Sequence, residues 1–263
     1  MISKTLSKQA QNTVNGYVNL PIYGHNINCP YFNNRRANVR GGLRVMIGKG
    51  SVEDIAEEIV LMGLREKIDY NKLTDGDLKK FLVENGIGID CSGFVYHVLD
   101  SELKARGLGG IKKHIKFAFI KTPWRKFLSW LRPAEHAGVR TISADENCDR
   151  ISLENVLPGD MIVFIKTGVK HDRNHIMLIT KVEYDDADVP QKIHYTHSFQ
   201  WRTDGRYGHG VRIGKIQIID ATKNLSDQNW EENGKASIEN ETLEHAKLAE
   251  ERFIARFRAL IVV

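Results

Sequence analysis

The sequence predicts an α+β fold, with a cysteine-bearing helix and a sheet of about five strands. Two observations predict it. Behind Cys91, the apolar residues Phe94, Val95, Val98 and Leu99 recur at helical spacing. From Met161 onward, five short apolar or alternating runs, most of them bounded by turns or polar loops, read as strands. At 263 residues and 41% hydrophobic content the chain can bury a full core. One domain is expected over 20–263, with helical insertions at about 51–85 and 101–150 and no internal repeat.

Residues 1–19 are polar and expected to be disordered, and 20–50, rich in Asn, Gly, Arg and Tyr, are expected to wrap irregularly toward the site. Gly48-Lys49-Gly50-Ser51 lacks the longer glycine spacing of a phosphate loop. Ser51 reads instead as an N-cap, with Asp54 three residues on. The helix it opens carries Val52, Ile55, Ile59 and Met62 on one face. A second helix runs from Thr74 to about Glu84 and stops at Asn85-Gly86. Asp90 and Ser92 favour the start of the next helix, so Cys91 falls in its first turn. Unpaired backbone N–H groups there create positive potential, expected to lower the thiol pKa and favour the thiolate.

Between that helix and the first predicted strand, 101–133 carries nine Lys/Arg against one acid, a net of +8, while the whole chain is only +5. Phe117, Phe119, Trp124, Phe127, Trp130 and Leu131 interleave with those charges. The combination suits an anionic polymer or membrane surface, here assigned to 111–131, with nucleic acid the less favoured partner. The competing reading is a helical subdomain with its aromatics packed inward under a solvated basic face.

Leu157-Pro158-Gly159-Asp160 is a turn, and Met161 to Ile165 a buried strand. His175 opens the next run, to Val182. Ile193, Tyr195, His197, Phe199 and Trp201 then share one strand face directed at a core, and His194 points the other way. Val211 to Ile219 supports a further strand, 224–233 a polar loop, 239–251 an acidic helix and 253–263 a closing strand. A cysteine with a histidine base and a third polar group is the activated-nucleophile arrangement, the third group holding the ring's tautomer. A zinc set of Cys91, His175, His194 and His197 is disfavoured, because His194 and His197 fall on opposite strand faces.

Asp90-Cys91-Ser92-Gly93-Phe94-Val95, Leu157-Pro158-Gly159-Asp160-Met161-Ile162-Val163-Phe164, His175-Ile176-Met177-Leu178-Ile179 and His197-Ser198 together resemble the NlpC-type cysteine peptidases, papain-like enzymes of bacterial cell-wall turnover. The resemblance covers 86–100 and about 153–220. It implies a papain-like arrangement, the nucleophile helix packed on an antiparallel sheet of about five strands, with Cys91 as nucleophile, His175 as base and His197 as the orienting residue. It further implies cleavage of peptidoglycan stem peptides through a thioester, with no cofactor and no metal. Asp90 and Ser92 would hold the substrate's free amine. A site tyrosine is implied as well, for which Pro30-Tyr31 is the nearest match and Tyr23 a competitor. Two alternatives stay open: an amidase or acyltransferase on a lipid or small-peptide substrate, and a non-catalytic wall- or membrane-binding module.

Cys29, Cys91 and Cys148 make no disulfide framework, and no run reads as a signal peptide or a membrane span. A reducing, cytoplasmic setting is therefore expected, and a wall substrate would call for lysis or non-classical export.

Overall fold

The computed structural model describes residues 2–34, 44–236 and 239–261. In chain order they form β1 (Ile2–Thr5), α1 (Lys8–Val18), α2 (Val52–Glu66), α3 (Asp75–Glu84), α4 (Cys91–Ala105), α5 (Pro123–Leu131) and the short α6 (Pro133–His136) and α7 (Val139–Ile142). Then come β2 (Cys148–Ile151), β3 (Met161–Thr167), β4 (Arg173–Tyr184), β5 (Pro190–Phe199), β6 (Gly210–Gln217), β7 (Asn229–Glu232), β8 (Lys235–Ala236), α8 (Glu241–Leu248) and β9 (Glu251–Phe257). The fold is α+β, as expected.

The strands form one antiparallel sheet in the order β2-β9-β3-β4-β5-β6-β7-β8, and β1 pairs with the second half of β4. The sheet is larger than the five strands expected. All five anticipated strands are present (β3, β4, β5, β6 and β9). The four missed, β1, β2, β7 and β8, are two to four residues long, too short to show a period. The closing strand β9 ends at Phe257 and sits inside the sheet, between β2 and β3.

Alternation along β3 and β4 sends Met161, Val163, Ile176 and Leu178 to one cluster, with Phe94, Val95, Val98 and Leu99 of α4. Ile162, Phe164, Met177 and Ile179 enter a second cluster with Tyr195, Trp230 and Leu243. Both faces of the sheet are thus covered, which is why these strands read as continuous apolar runs. The predicted turn is fastened from β9: Arg256 donates to both carboxylate oxygens of the buried Asp160, at 2.7 and 2.8 Å.

Residues 1–19 were expected to be disordered, and 2–18 are instead folded. β1 adds to the edge left free on β4, and Ala10, Val14 and Tyr17 of α1 are buried at spacings of four and three. Ser7 caps α1, and its own N–H donates to the buried Glu102 of α4 at 2.8 Å. The two helices of the first insertion match expectation, each opened by a capping box: Ser51 with Asp54, and Thr74 with Asp77. No helix among the described residues is long and apolar enough to cross a membrane.

Candidate active site

Asp90 is the N-cap of α4 and accepts the Gly93 N–H at 2.6 Å, which fixes Cys91 as the first helical residue. Gly93 is needed for packing: a Cβ there would meet the Gly48 carbonyl oxygen at 2.7 Å. Cys91 opens into a cavity of about 1000 Å³ that His175, Tyr31, Lys49, Phe119, Arg140, Arg173 and His245 also line. The cavity lies at the end of the sheet, where β3 finishes and β4 begins.

His175 follows Met177 and Ile179 to the sheet face away from α4, where its Nε2 lies 2.7 Å from Nδ1 of His197. Nε2 of His197 lies 3.0 Å from a carboxylate oxygen of Glu232, and all three side chains are buried. A carboxylate only accepts, so His197 donates from Nε2, and in the tautomer that carries its single proton there the ring accepts at Nδ1. His175 must then donate from Nε2, which leaves its Nδ1 unprotonated and able to take a proton. Among the described residues, the one side-chain hydrogen bond of His175 is this contact to His197.

Glu232 was missed by the sequence reading, which placed 224–233 in a polar loop. It is held by the Tyr195 hydroxyl at 2.6 Å and the Thr242 hydroxyl at 3.1 Å, and Arg212 stands 3.7 Å away. Burial pushes its carboxyl up, and His197, Tyr195 and Arg212 outweigh burial to leave it lowered. Gly214 leaves room for the Tyr195 ring, whose ring atoms occupy the place of any Cβ at that position.

The expected thiolate is not what this environment favours. Burial pushes the Cys91 thiol up to about 12, reinforced by Asp90 and opposed by Lys49 and the Ile176 and Ser92 N–H groups. Burial likewise holds His175 well below its ordinary value, with His197, His245 and Arg212 adding to the effect. The resting pair is therefore a neutral thiol and a neutral imidazole. Cys29 and Cys148 are also free thiols pushed up to about 12, but neither lines the cavity.

Asp90 and Ser92 already hold a cation. The buried Lys49 ammonium donates to Asp90 at 2.9 Å, to Ser92 at 2.6 Å and to the Ala137 carbonyl at 3.1 Å, which uses all three of its donors. Nothing in the Gly48-Lys49-Gly50-Ser51 segment signalled this.

Tyr31 reaches the cavity although it lies 60 residues before the cysteine. Ile89 donates to the Pro30 carbonyl at 2.9 Å and accepts from Phe32 at 3.2 Å, laying 30–32 beside the residue that precedes Asp90. Tyr23 packs on Tyr70 instead, with ring centroids 5.2 Å apart, and does not line the cavity. Of the wrapping segment, 35–43 lie outside the described residues. His194 points away from the pair and meets Glu183 at 2.9 Å. Among the described residues no group of three or more His, Cys, Asp or Glu side chains is placed to hold a metal ion.

No family model, curated protein or solved structure matches the chain.

Proposed function

We propose that the chain is a cysteine hydrolase that cleaves amide bonds, a papain-like enzyme of the NlpC type with stem peptides of peptidoglycan as its substrate class. The observation that carries the reading is that Cys91 and His175 line one cavity, with His197 and Glu232 in line behind His175. As the Cys91 Sγ attacks the amide carbonyl, Nδ1 of His175 takes the thiol proton, and the developing imidazolium is stabilised through His197 by the buried carboxylate. The Cys91 N–H, in the first helical turn, is the donor best placed for the oxyanion. His175 then returns the proton to the leaving amine, and water hydrolyses the thioester. Tyr31 lines the bound chain, and Arg140 and Arg173 on the cavity wall suit the carboxylates of a stem peptide.

A second reading is favoured by Lys49. With the Asp90–Ser92 pair filled by an internal ammonium, the acyl group need not bring an amine of its own, as in an amidase or acyltransferase on another substrate. Incubation with purified muropeptides, read by mass spectrometry, separates the two. Cleaved stems that disappear with Cys91→Ala support the first reading. Intact stems, with turnover of a simple amide or ester, support the second.

A further inference from the structure

The basic insertion is folded the wrong way round for a packed subdomain. In α5, Trp124, Phe127, Leu128, Trp130 and Leu131 occupy one side, Arg125 and Lys126 stand at the two borders of that side, and Ser129 lies opposite. Ser129 is the buried residue, turned against the protein. Trp124 is 65% exposed, Phe127 48%, Trp130 58% and Leu131 43%, and Phe119 on the preceding loop is 63% exposed. The aromatics stack on one another in solvent, with Trp124 to Phe127 and Phe127 to Trp130 centroid distances of 5.8 and 6.3 Å. The Lys112 ammonium lies 4.4 Å over the Trp130 ring. A contiguous exposed apolar patch of this kind marks an interaction surface.

Its charge says what the partner is. Residues 111–132 hold seven Lys/Arg and no acid, and Lys112, Lys113, Lys116, Lys121, Arg125, Lys126 and Arg132 are all exposed. Two copies meeting face to face would bring these cations together, so self-association is opposed. A soluble polyanion would satisfy the cations and leave the aromatics in water. An anionic bilayer satisfies both, because Trp and Phe settle at the interface while Lys and Arg remain among the headgroups.

We propose that this surface docks the protein on anionic membranes. Phe119, exposed on the loop that leads into α5, also lines the cavity that holds Cys91, so docking through α5 and this loop sets the cavity mouth toward the bilayer. The proposal does not depend on the hydrolase reading, since binding requires neither Cys91 nor His175.

The test is flotation with vesicles of phosphatidylcholine alone or mixed with phosphatidylglycerol, using the full chain. Wild type and Cys91→Ala should float with the anionic vesicles and remain in solution with the zwitterionic ones, and the tryptophan emission should shift to the blue. The combined variant Trp124→Ser, Phe127→Ser, Trp130→Ser should lose flotation, while Leu61→Ser, Leu64→Ser, equally exposed on α2, should float as wild type. Charge removal at Lys112, Lys113 and Lys126 should weaken partition by roughly fivefold per charge. Circular dichroism and turnover of a small soluble amide check that the variants are folded. Absence of flotation by wild type, equal flotation of the aromatic variant, or binding confined to soluble polyphosphate would each overturn the proposal.

Discussion

Glu232 accepts a hydrogen bond from Nε2 of His197 at 3.0 Å, two rings away from the cavity. That contact orders the protons along the whole line to His175. The orientation is anchored twice over, since Tyr195 and Thr242 hold the carboxylate in place from β5 and α8.

Replacing Glu232 by Gln should therefore act on the base at a distance. An amide can donate to Nε2 of His197, which turns that ring over to its Nδ1–H form. His175 would then accept at Nε2 and carry its proton on Nδ1, the wrong tautomer for a base. A loss of roughly 10²–10⁴-fold in kcat is expected, as where a carboxylate holding a catalytic histidine is neutralised, with KM little changed. Steady-state kinetics on any cleaved amide, beside a thermal melt, checks this. An unchanged kcat would remove Glu232 from the relay.

The neutral resting pair predicts how Cys91 reacts with iodoacetamide. A thiol pushed up to about 12 has no thiolate plateau near neutrality, so its alkylation rate should climb with pH through 9. Cys91 should still label before Cys29 and Cys148, since it alone among the three opens into the cavity. A flat rate between pH 5 and 8 would reveal a thiolate–imidazolium pair instead.

Histidine variants separate chemistry from packing. His175→Ala should remove activity by roughly 10²–10⁴-fold, the usual worth of a general base. His197→Ala should cost less, because it exchanges no proton with substrate. His194→Ala should be near wild type, since that ring meets Glu183 on the opposite side of β5. A loss at His194 equal to that at His175 would contradict the observed register.

The parts legible in the sequence are those whose period outlasts one turn or one strand. The apolar runs at 161–165 and 175–182, the face shared by Ile193, Tyr195 and His197, and the capping pairs Ser51–Asp54 and Thr74–Asp77 all declare themselves locally. Glu232 does not, because β7 is four residues long and begins after a polar stretch. One signal was present: Trp230 and Glu232 are two apart and share a face, so a strand that buries the tryptophan buries the glutamate. Lys49 carried no local signal, since its three acceptors are set by contacts 41 to 88 residues away. In α5 the pattern was visible and its direction was not, because an amphipathic period does not say which side meets the protein.

Acid should loosen the cavity end of the sheet before the rest. Burial, with Arg173 adding to it, lowers His245 to about 4, and His175 is held lower than its ordinary value as well. A base whose folded pKa is depressed contributes fully to stability above the unfolded value near 6.5, and that contribution shrinks as pH falls toward the folded one. Urea midpoints should therefore drop between about pH 7 and 4. His245→Gln should flatten that slope by at most roughly 3 kcal/mol across the window, less for the ring's partial exposure. A variant with the same slope as wild type would remove His245 from the acid response.

Lys49 decides what the Asp90–Ser92 corner can recognise. Its ammonium is buried and fully donated, so no substrate amine can take its place without displacing it. Wild type should then treat a substrate with a free amine beside the scissile bond and its N-acetylated counterpart nearly alike in kcat/KM. Lys49→Met removes one partner of a buried ion pair and should cost on the order of 3–5 kcal/mol. It also leaves the Asp90 carboxylate facing a vacated site, while the carboxylate still caps Gly93. Two readouts follow for the variant: an alkylammonium ion should raise its melting temperature but not that of wild type, and free-amine substrates should gain on acetylated ones. A wild-type enzyme that already prefers the free amine strongly would mean that Lys49 moves aside, and that Asp90 and Ser92 meet the substrate after all.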